Sequence, residues 1–363
     1  MKILYGVQGT GNGHISRARA MNKHLKQYGL DIDFLFSGRD KDKYFDMEEF
    51  GDWRCCKGLT FLHQSGKLKI MQTLKQASPL SFLNDIRTLD LSAYDVVLTD
   101  FEPIVSWAAK FQKKTCIGIG HQYAFNYDVP RRGNNFVSSS IMKHFAPAQI
   151  SLGLHWHHFN QPILPPIAET HHTNDATEKN KILVYLGFEE VDDVLQYLES
   201  FEDYKFVYYG PFSEYESHGH IKLKPLSREG FKYDLATSSG VICNAGFELA
   251  SEAIQLGKKL LVKPLAGQLE QLSNAKALED LGIAKSMNAL DRDTTRSWLD
   301  NFSGKSITYP DVAKSIAHWI SEKGWERPES KEMLVQSLWK SVKTDAGSKL
   351  CFNKPPVAQL ASA

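Results

Sequence analysis

A histidine closes a glycine-rich loop near the amino terminus of the chain. Three glycines alternate with other residues in Gln8–His14 (QGTGNGH), and this loop directly follows an apolar run, Lys2–Val7. Glycine lets the backbone approach a ligand closely, and ligands of open parallel sheets bind at the carboxyl ends of the strands. The spacing therefore predicts a ligand-binding loop that presents His14 at the start of a helix.

The same loop fits neither of two common phosphate-binding motifs. A dinucleotide fingerprint reads GxGxxG and requires an acid at the end of the second strand, whereas this loop reads GxGxG and Ser37 and Gly38 stand at that strand end. A phosphate loop would need Lys followed by Ser or Thr after its last glycine. The sequence thus disfavours a nicotinamide or flavin enzyme, and no cofactor is expected.

His14 has the chemistry of a general base, although a capping or packing role is the alternative. The amino terminus of a helix favours the neutral imidazole, which is the form that can accept a proton. A base of this kind needs an acid that orients it. Asp100, at the end of the apolar run Tyr94–Thr99, is the first candidate, and Glu102 is the second.

A second group of polar residues follows an apolar run that ends at Cys243. The small residues Asn244-Ala245-Gly246 form a turn, and a helix is predicted from Phe247. The N–H groups at the start of a helix have no partner within the helix, so they bind anions and suit a diphosphate. Glu252, six residues after Gly246, would accept hydrogen bonds from the hydroxyls of a ribose.

Two further polar residues, Glu270 and Gln271, follow the next predicted strand end. Together they offer the acceptor and donor groups that sugar hydroxyls need. Singly, each of these polar residues is more readily explained as a helix cap on the surface. Their combination in one strand–helix–strand unit favours a binding site.

Short apolar runs alternate with helical patterns along most of the chain, which predicts an α/β fold with parallel sheets. The predicted strands are Lys2–Val7, Ile32–Phe36, Tyr94–Thr99, Thr115–Ile119, Lys181–Leu186, Lys205–Tyr209, Gly240–Cys243 and Lys259–Val262. Helical patterns cover Ser16–Tyr28, the Lys-rich stretch Lys67–Leu89, Pro103–Phe111 and the region from Asp311 to about Lys343.

The chain length of 363 residues suits two domains. An irregular segment rich in Pro, His, Asn and Thr interrupts the pattern after residue 155 and predicts a linker. The expected organisation is a first domain at 1–155, a linker at 156–180, a second domain at 181–320, carboxyl-terminal helices at 321–345 and a tail at 346–363.

These motifs resemble those of glycosyltransferases with the GT-B fold, in the group of family 1, family 28 and the bacterial peptidoglycan N-acetylglucosaminyltransferase. That group has a glycine loop ending in His, and a small-Gly-x5-Glu motif that Ala245, Gly246 and Glu252 match. Its third signature is rich in Gln and ends in Asn-Ala, as Asn274-Ala275 do here. The chain departs from the peptidoglycan enzyme at Glu270, where that enzyme has Gln, so the identity of the sugar does not carry over.

The resemblance implies two Rossmann-like domains that face each other across a cleft, with a carboxyl-terminal helix crossing back to the first domain. It implies a nucleotide-sugar donor, most often a UDP-sugar, bound to the second domain. Glu252 would hold the ribose, and Glu270 and Gln271 the sugar. The diphosphate and nucleotide would lie against Gly187, Asn244, Ala245, Gly246 and Phe247.

The resemblance also implies transfer with inversion at the anomeric carbon, with His14 as base and Asp100 as its partner. The acceptor, a glycolipid or a glycan of the cell envelope, would bind the first domain. The residues expected on that side are Gly11, Asn12, Gly13, His121 and Gln122. A nucleotide-sugar epimerase or hydrolase on the same fold, or a non-catalytic nucleotide-sugar-binding protein, is the alternative.

A metal site is not expected. Asp31-Ile32-Asp33 and Asp291-Arg292-Asp293 match the Asp-x-Asp string that binds metal–diphosphate elsewhere, but neither lies at a strand end. Five histidines (155, 157, 158, 171 and 172) lie in the irregular segment without a reinforcing set of cysteines.

The composition excludes several classes of protein and suggests where in the cell this protein is located. The charged residues balance at 43 Lys and Arg against 42 Asp and Glu, no apolar run is long enough to span a membrane, and nucleic acid is not an expected partner. Five cysteines without a CxxC pair, and a chain that opens directly into a strand, predict a cytoplasmic protein.

The charge is unevenly distributed between the two predicted domains. Residues 1–155 carry 20 Lys and Arg against 14 Asp and Glu, whereas the rest carry 23 against 28. A basic first domain fits a phosphate-bearing acceptor or an anionic membrane surface, which would place the protein peripherally on the inner face of the membrane. The candidate residues are Lys67, Lys69, Lys75, Arg131 and Arg132.

Overall fold

A computed structural model describes residues 1–59, 79–133, 140, 142–169 and 174–344, with the backbone of two short strands at 63–64 and 67–68. The described chain forms two sheets with helices packed against them, which confirms the predicted α/β class with two Rossmann-like domains. We call the part built on the first sheet the first domain and the part built on the second sheet the second domain. The predicted domain boundaries stay predictions.

The first sheet has six strands in the order β3-β2-β1-β6-β7-β8, and all of its neighbouring pairs are parallel. Its central strands are buried almost throughout, as expected for a parallel sheet covered on both faces. The strands are β1 Lys2–Gln8, β2 Asp31–Ser37, β3 Arg54–Cys56, β6 Val96–Asp100, β7 Cys116–Gly120 and β8 Ile150–Gly153, and a separate pair comprises β4 His63–Gln64 and β5 Lys67–Leu68.

The second sheet has seven strands in the order β11-β12-β10-β9-β13-β14-β15. Only the edge strand β11 runs antiparallel to its neighbour. The strands are β9 Glu178–Tyr185, β10 Lys205–Gly210, β11 Glu216–His218, β12 Ile221–Pro225, β13 Ser238–Asn244, β14 Lys259–Lys263 and β15 Lys285–Ser286, and a third small sheet pairs β16 Ile307–Thr308 with β17 Lys343–Thr344.

Helices connect most of these strands. In the first domain they are α1 Asn12–Gln27, α2 Pro79–Thr88 and α3 Pro103–Phe111. Those that follow are α4 Val191–Leu198, α5 Arg228–Thr237, α6 Phe247–Gln255, α7 Leu269–Asp280, α8 Arg292–Asn301, α9 Val312–Ser321 and α10 Ser330–Lys340. Among the described residues, no helix is long and apolar enough to cross a membrane.

The register of the first sheet brings the two predicted catalytic residues to one edge. Asp100, the last residue of β6, lies beside Val7 of β1, one residue before that strand ends. The loop after β1 leads into α1, which begins at Asn12 rather than at the predicted Ser16. His14 therefore lies within the first turn of the helix, next to the end of β6.

The carboxyl-terminal helices return to the first domain, as the fold class predicts. The ring of His318 on α9 stacks on Tyr28 at a centroid distance of 5.4 Å, and His24 on α1 pairs with Asp311 at 3.2 Å. Further along, Lys331 on α10 donates to the Tyr127 hydroxyl at 3.0 Å. The crossing begins with α9 at Val312, which lies inside the range predicted for the second domain.

The segment predicted as a linker is closely packed between the domains at its start. His155 and Trp156 are buried, and the Trp156 indole donates to the Ser251 hydroxyl of α6 at 2.9 Å. The Trp156 ring also lies 4.8 Å from that of Phe247. The Pro- and His-rich composition thus marks an irregular connection that contributes to the core.

Several predictions about helices and strands need correction, and some predicted residues lie outside the described part of the chain. The predicted helical stretch Lys67–Leu89 begins as the strand β5 and is helical only from Pro79 in its described part. The short strands β3, β8 and β12 were not predicted, because they have three to five residues and only weak apolar patterns. The side chains of Lys67, Lys69, Lys75, His171 and His172, and the tail 346–363, lie outside the described residues.

Candidate functional site

A cavity of about 690 Å³ lies between the two sheets and is lined by residues of both domains. It contains most of the residues that the sequence singled out, although they come from separate motifs. The predicted site residues that line it are Gly11, Asn12, Gly13, His14, Gln122, Gly187, Asn244, Gly246, Phe247, Glu252, Glu270 and Gln271.

His14 and Asp100 are in direct contact at the first-domain wall of this cavity. The His14 Nδ1 lies 2.6 Å from the Asp100 Oδ1, and Asp100 is fully buried. Because an ionised carboxylate can only accept a hydrogen bond, Nδ1 carries the hydrogen and the lone pair lies on Nε2. This tautomer makes His14 able to take a proton from a group in the cavity.

Arg17 donates two hydrogen bonds to the same carboxylate. This residue was not predicted from the sequence. Its Nε donates to Asp100 Oδ2 at 2.7 Å and its Nη2 to Oδ1 at 2.5 Å, and both side chains are buried. Burial would raise the pKa of Asp100, but the Arg17 guanidinium and His14 outweigh it and hold that pKa below its usual value. Asp100 is therefore ionised and fixed in position. The spacing of His14 and Arg17 by three residues on one helix face was the available signal.

Glu102, the second candidate for the partner acid, has another role. Its carboxylate caps α3 by accepting hydrogen bonds from the N–H groups of Ile104 and Val105, and it also accepts from the Ser37 hydroxyl at 2.6 Å. Burial raises the pKa of Glu102 to about 7 against the effect of these hydrogen bonds. Glu102 stabilises the helix that follows β6 and leaves Asp100 as the acid at His14.

The second-domain wall presents the amino terminus of α6. Gly246 is the N-cap residue, and it has no side chain that could cap the helix. The Gly246 N–H donates to the Asn244 carbonyl at 2.8 Å, which closes the turn, so the free donors are the N–H groups of the first helical turn, from Phe247 onward. A methyl group on Gly246 would meet no atom within 4 Å, because the space in front of the turn is open.

Glu252 lies further along α6 and lines the same cavity. It is half-buried, and no hydrogen bond to its carboxylate comes from the described part of the chain. Burial raises the pKa of Glu252 to about 8, although the nearby Lys232 acts in the opposite direction. Near neutral pH the Glu252 carboxyl is therefore mostly protonated, and it becomes a full acceptor for the hydroxyls of a ligand when it ionises.

The residues predicted to hold a sugar differ from each other in exposure. Gln271 is largely buried, and its Oε1 accepts a hydrogen bond from the Leu265 N–H at 2.8 Å, which fixes the loop after β14. Glu270 is more accessible and receives the Gln122 amide, whose Nε2 lies 3.2 Å from both carboxylate oxygens. Glu270 and Gln122 thus connect the two domains across the cavity.

His121, predicted at the acceptor side, lies instead beneath the cavity wall. It is fully buried, its Nδ1 contacts the Leu154 carbonyl at 2.8 Å, and its Nε2 contacts the Asn274 Oδ1 at 2.6 Å. Its ring stacks on Phe247 at 4.0 Å and 6°. Burial lowers the pKa of His121, and its contacts join the two domains.

Ala245 is likewise set back from the cavity. It is fully buried, and its carbonyl accepts a hydrogen bond from the Asn274 side-chain amide at 2.9 Å. The Asn244 side chain donates to the Lys263 carbonyl at 3.1 Å. These two residues therefore shape the turn before α6, and of the two only Asn244 also lines the cavity.

Four apolar side chains of the first domain line the cavity. Phe101 and Phe145 stack at a centroid distance of 5.1 Å, and Met142 and Phe45 also line the cavity, as do the charged side chains of Arg19, Arg39 and Lys43. Phe101 has a φ of +54°, a strained conformation for a side chain of this size. The sequence reasoning missed this apolar surface, because its residues come from irregular segments without periodicity.

The candidate metal-binding and basic residues make hydrogen bonds or ring contacts away from the cavity. Among the described residues, no three His, Cys, Asp or Glu side chains form a group that could hold a metal ion. Asp291 caps α8 by accepting from the Thr294 N–H at 2.6 Å, and the rings of His157 and His158 stack at 4.5 Å. Arg131 donates to the carbonyls of Phe125 and Tyr127.

Comparison with known proteins identifies the family. The family described as Glycosyl transferase family 1 matches residues 1–303, and the chain belongs to it. A protein of Methanosarcina acetivorans, described as an uncharacterized glycosyltransferase, is 26% identical over 137 residues. These cover 37% of this chain and 35% of that protein, so the match spans about a third of the relative's length.

Solved structures of glycosyltransferases share the fold. SnogD from Streptomyces nogalater has a TM-score of 0.52 and 15% identity, with 94% of this chain and 99% of that chain covered. Phytolacca americana UGT2, complexed with UDP-2fluoro-glucose and pterostilbene, has a TM-score of 0.54 and 11% identity, with 93% and 98% covered. VinC in complex with DTDP has a TM-score of 0.51 and 12% identity, with 94% and 100% covered. The chain therefore has the GT-B fold.

Proposed function

We propose that this protein is an inverting glycosyltransferase that moves a sugar from a nucleotide-sugar, a UDP-sugar in the first instance, to an acceptor hydroxyl. One observation carries the proposal: a histidine–aspartate pair and an uncapped helix amino terminus face the same cavity from opposite domains. The first can take up a proton and the second can bind the charge of a leaving diphosphate. Family membership supports the same activity.

The reaction is a single displacement. Nε2 of His14 accepts the proton of the acceptor hydroxyl while that oxygen forms a bond to the anomeric carbon. The bond between the anomeric carbon and the diphosphate oxygen breaks, and its electron pair stays on the diphosphate. Asp100 stabilises the imidazolium, and the N–H groups at the start of α6 stabilise the diphosphate charge. Attack from the side opposite the leaving group inverts the anomeric carbon.

The donor is assigned to the second-domain wall. With the diphosphate at the start of α6, Glu252 on the same helix accepts hydrogen bonds from the ribose hydroxyls. Glu270 and Gln271 border the donor sugar, and Gly187 after β9 borders the nucleotide. The nucleotides in the structures of VinC and Phytolacca americana UGT2 support a nucleotide-sugar as the ligand.

The acceptor is assigned to the first-domain wall. The stacked Phe101 and Phe145, with Met142, favour an acceptor that has an apolar body, such as a lipid-linked saccharide of the cell envelope. Gly11 and Asn12 border the same space beside His14. Association with an anionic membrane surface stays a prediction, and binding to phosphatidylglycerol vesicles that weakens with salt would support it.

The proposed function is tested with purified protein and a panel of nucleotide-sugars. UDP-glucose, UDP-N-acetylglucosamine and dTDP-glucose are first compared by the thermal stabilisation that they produce. The best ligand is then incubated with alcohols of increasing chain length, and product formation is followed by mass spectrometry. We expect a glycoside with inverted anomeric configuration. Free sugar or an epimerised donor without any acceptor would contradict the proposal and favour a hydrolase or an epimerase.

The raised pKa of Glu252 predicts how donor affinity depends on pH. Below about pH 8 the free carboxyl is mostly neutral. If ribose hydroxyls donate to its carboxylate, binding favours the ionised form and releases a proton. The affinity for UDP-glucose, measured by calorimetry, should then rise between pH 6.5 and 8, by at most about tenfold per pH unit.

The matched control for this prediction is Glu252→Gln, which should bind UDP-glucose more weakly and without pH dependence in the same range. UDP-glucose suits the test because its diphosphate has no ionisation between these pH values. An affinity that falls as the pH rises would show that the neutral carboxyl binds the donor, contrary to the role assigned to Glu252.

A further inference from the structure

Arg17 joins the catalytic pair to the second domain. Besides its two bonds to Asp100, the buried guanidinium lies 3.0 Å from His14 Nδ1 and donates through Nη1 to the carboxylate of Glu248. Glu248 belongs to the first turn of α6 and is 231 residues away in sequence. One side chain of the first domain thus contacts the base, its acid and a carboxylate of the opposite domain.

Gly13 lies against the same Glu248 side chain. A methyl group on Gly13 would collide with Glu248, and its three nearest atoms all belong to that side chain. Gly13 lies in the first turn of α1 and has no left-handed backbone conformation that would require glycine. A larger residue at this position would require the Glu248 side chain to move away from its present place.

The charges around His14 explain what Glu248 contributes. The charged groups that face this site are Asp100 from β6, Arg17 from α1 and Glu248 from α6, and the hydroxyl of Tyr5 on β1 stays neutral because burial raises its pKa. Without Glu248, Arg17 would offset the charge of Asp100. With Glu248 in place, one negative charge remains to stabilise the imidazolium that forms during transfer.

We propose that Arg17 and Glu248 form an interdomain clasp that completes the base only when the two domains are together. This inference rests on the proposed function. Glu248 is then a positioning residue, because it acts on His14 and Asp100 through Arg17. The same ion pair neutralises Glu248, which would otherwise repel the diphosphate at the start of α6. The clasp makes proton abstraction conditional on a closed cleft, where water is excluded.

The test compares Glu248→Gln with a matched control, Glu49→Gln. Glu49 of the first domain also pairs with the second domain, through Arg228 at 3.3 Å, and with the buried Arg19 of its own domain at 2.8 Å, but it does not line the cavity. We expect Glu248→Gln to lower kcat at least about tenfold, within the range that misplaced catalytic groups produce, without raising the KM for the donor. Glu49→Gln should keep kcat within about twofold of the wild type, because the ion partners of Glu49 are Arg19 and Arg228 and not the residues of the catalytic pair or Arg17.

A second readout needs no transfer reaction. Diethyl pyrocarbonate modifies accessible neutral histidine, and mass spectrometry of the His14 peptide gives the rate. We expect Glu248→Gln to react several-fold faster at His14 than the wild type, and Glu49→Gln to react at the wild-type rate. Gly13→Ala disturbs the clasp sterically without changing charge, and alanine suits a helix better than glycine. It should behave like Glu248→Gln in both assays.

The clasp is contradicted if diethyl pyrocarbonate modifies His14 of Glu248→Gln and of Gly13→Ala at the wild-type rate. It is equally contradicted if the modification rate of His14 changes as much in Glu49→Gln as in those two variants. It is also overturned if Glu248→Gln raises the donor KM and leaves kcat unchanged, since Glu248 would then serve the donor alone. If the wild type transfers no sugar from any donor, the proposed function fails. The modification rates still decide on the clasp in that case.

Discussion

Replacing His14 by alanine is expected to lower kcat by about 10²–10⁴-fold, the usual contribution of a general base, while the affinity for the donor stays largely intact. The two effects separate because His14 lies on the first-domain wall, whereas the proposed donor site is built on α6 of the second domain. Steady-state kinetics with the native acceptor measures the first effect, and calorimetry with the nucleotide-sugar measures the second.

The same helix offers a matched control in His24. This histidine is also largely buried, but it pairs with Asp311 of the carboxyl-terminal region and does not line the cavity. His24→Gln should keep the wild-type kcat, because it removes a histidine without touching the catalytic pair. If His14→Ala kept full activity with the native acceptor, another group would have to remove the proton and the assignment of the base would be wrong.

The edge of the first sheet was predictable because its signals are local. A glycine loop after an apolar run marks the end of β1, and the run before Asp100 marks the end of β6. Carboxyl ends of parallel strands share one edge, so both residues were expected at that edge. Their contact depends on β1 and β6 being neighbours, which only the structure shows. The choice between Asp100 and Glu102 needed the structure, since both are buried and they differ in their partners: Asp100 contacts His14, whereas Glu102 caps α3.

The contacts between the domains were not predictable from local pattern. His121 follows a strand end, as a cavity residue should, yet packing against Phe247 and Asn274 of the second domain buries it. Glu248 is two residues after Gly246, and its position in the sequence does not indicate a contact with Arg17. That contact exists because α1 lies opposite α6 in the structure. Such contacts depend on how two sheets are placed against each other, which neither periodicity nor spacing encodes.

Asp100→Asn is expected to have two large effects with different physical causes. Loss of the carboxylate leaves the buried Arg17 guanidinium with Glu248 as its remaining acidic partner, and breaking a buried ion pair costs about 3–5 kcal/mol of the free energy of unfolding. The imidazolium of His14 also loses its stabilising charge, so kcat should fall by a factor comparable to that of His14→Ala. Chemical denaturation and steady-state kinetics measure the two effects independently.

A double variant separates these causes. Arg17→Met combined with Asp100→Asn removes both charges of the buried pair, and Glu248 can then turn to water because it is already partly exposed. Stability should largely recover, since replacing a buried ion pair as a whole costs little, whereas catalysis should stay low because the imidazolium still has no carboxylate. Recovery of kcat together with stability would show that Asp100 acts on His14 only by holding the fold. Recovery of stability alone would show that Asp100 and Arg17 contribute to proton transfer beyond holding the fold.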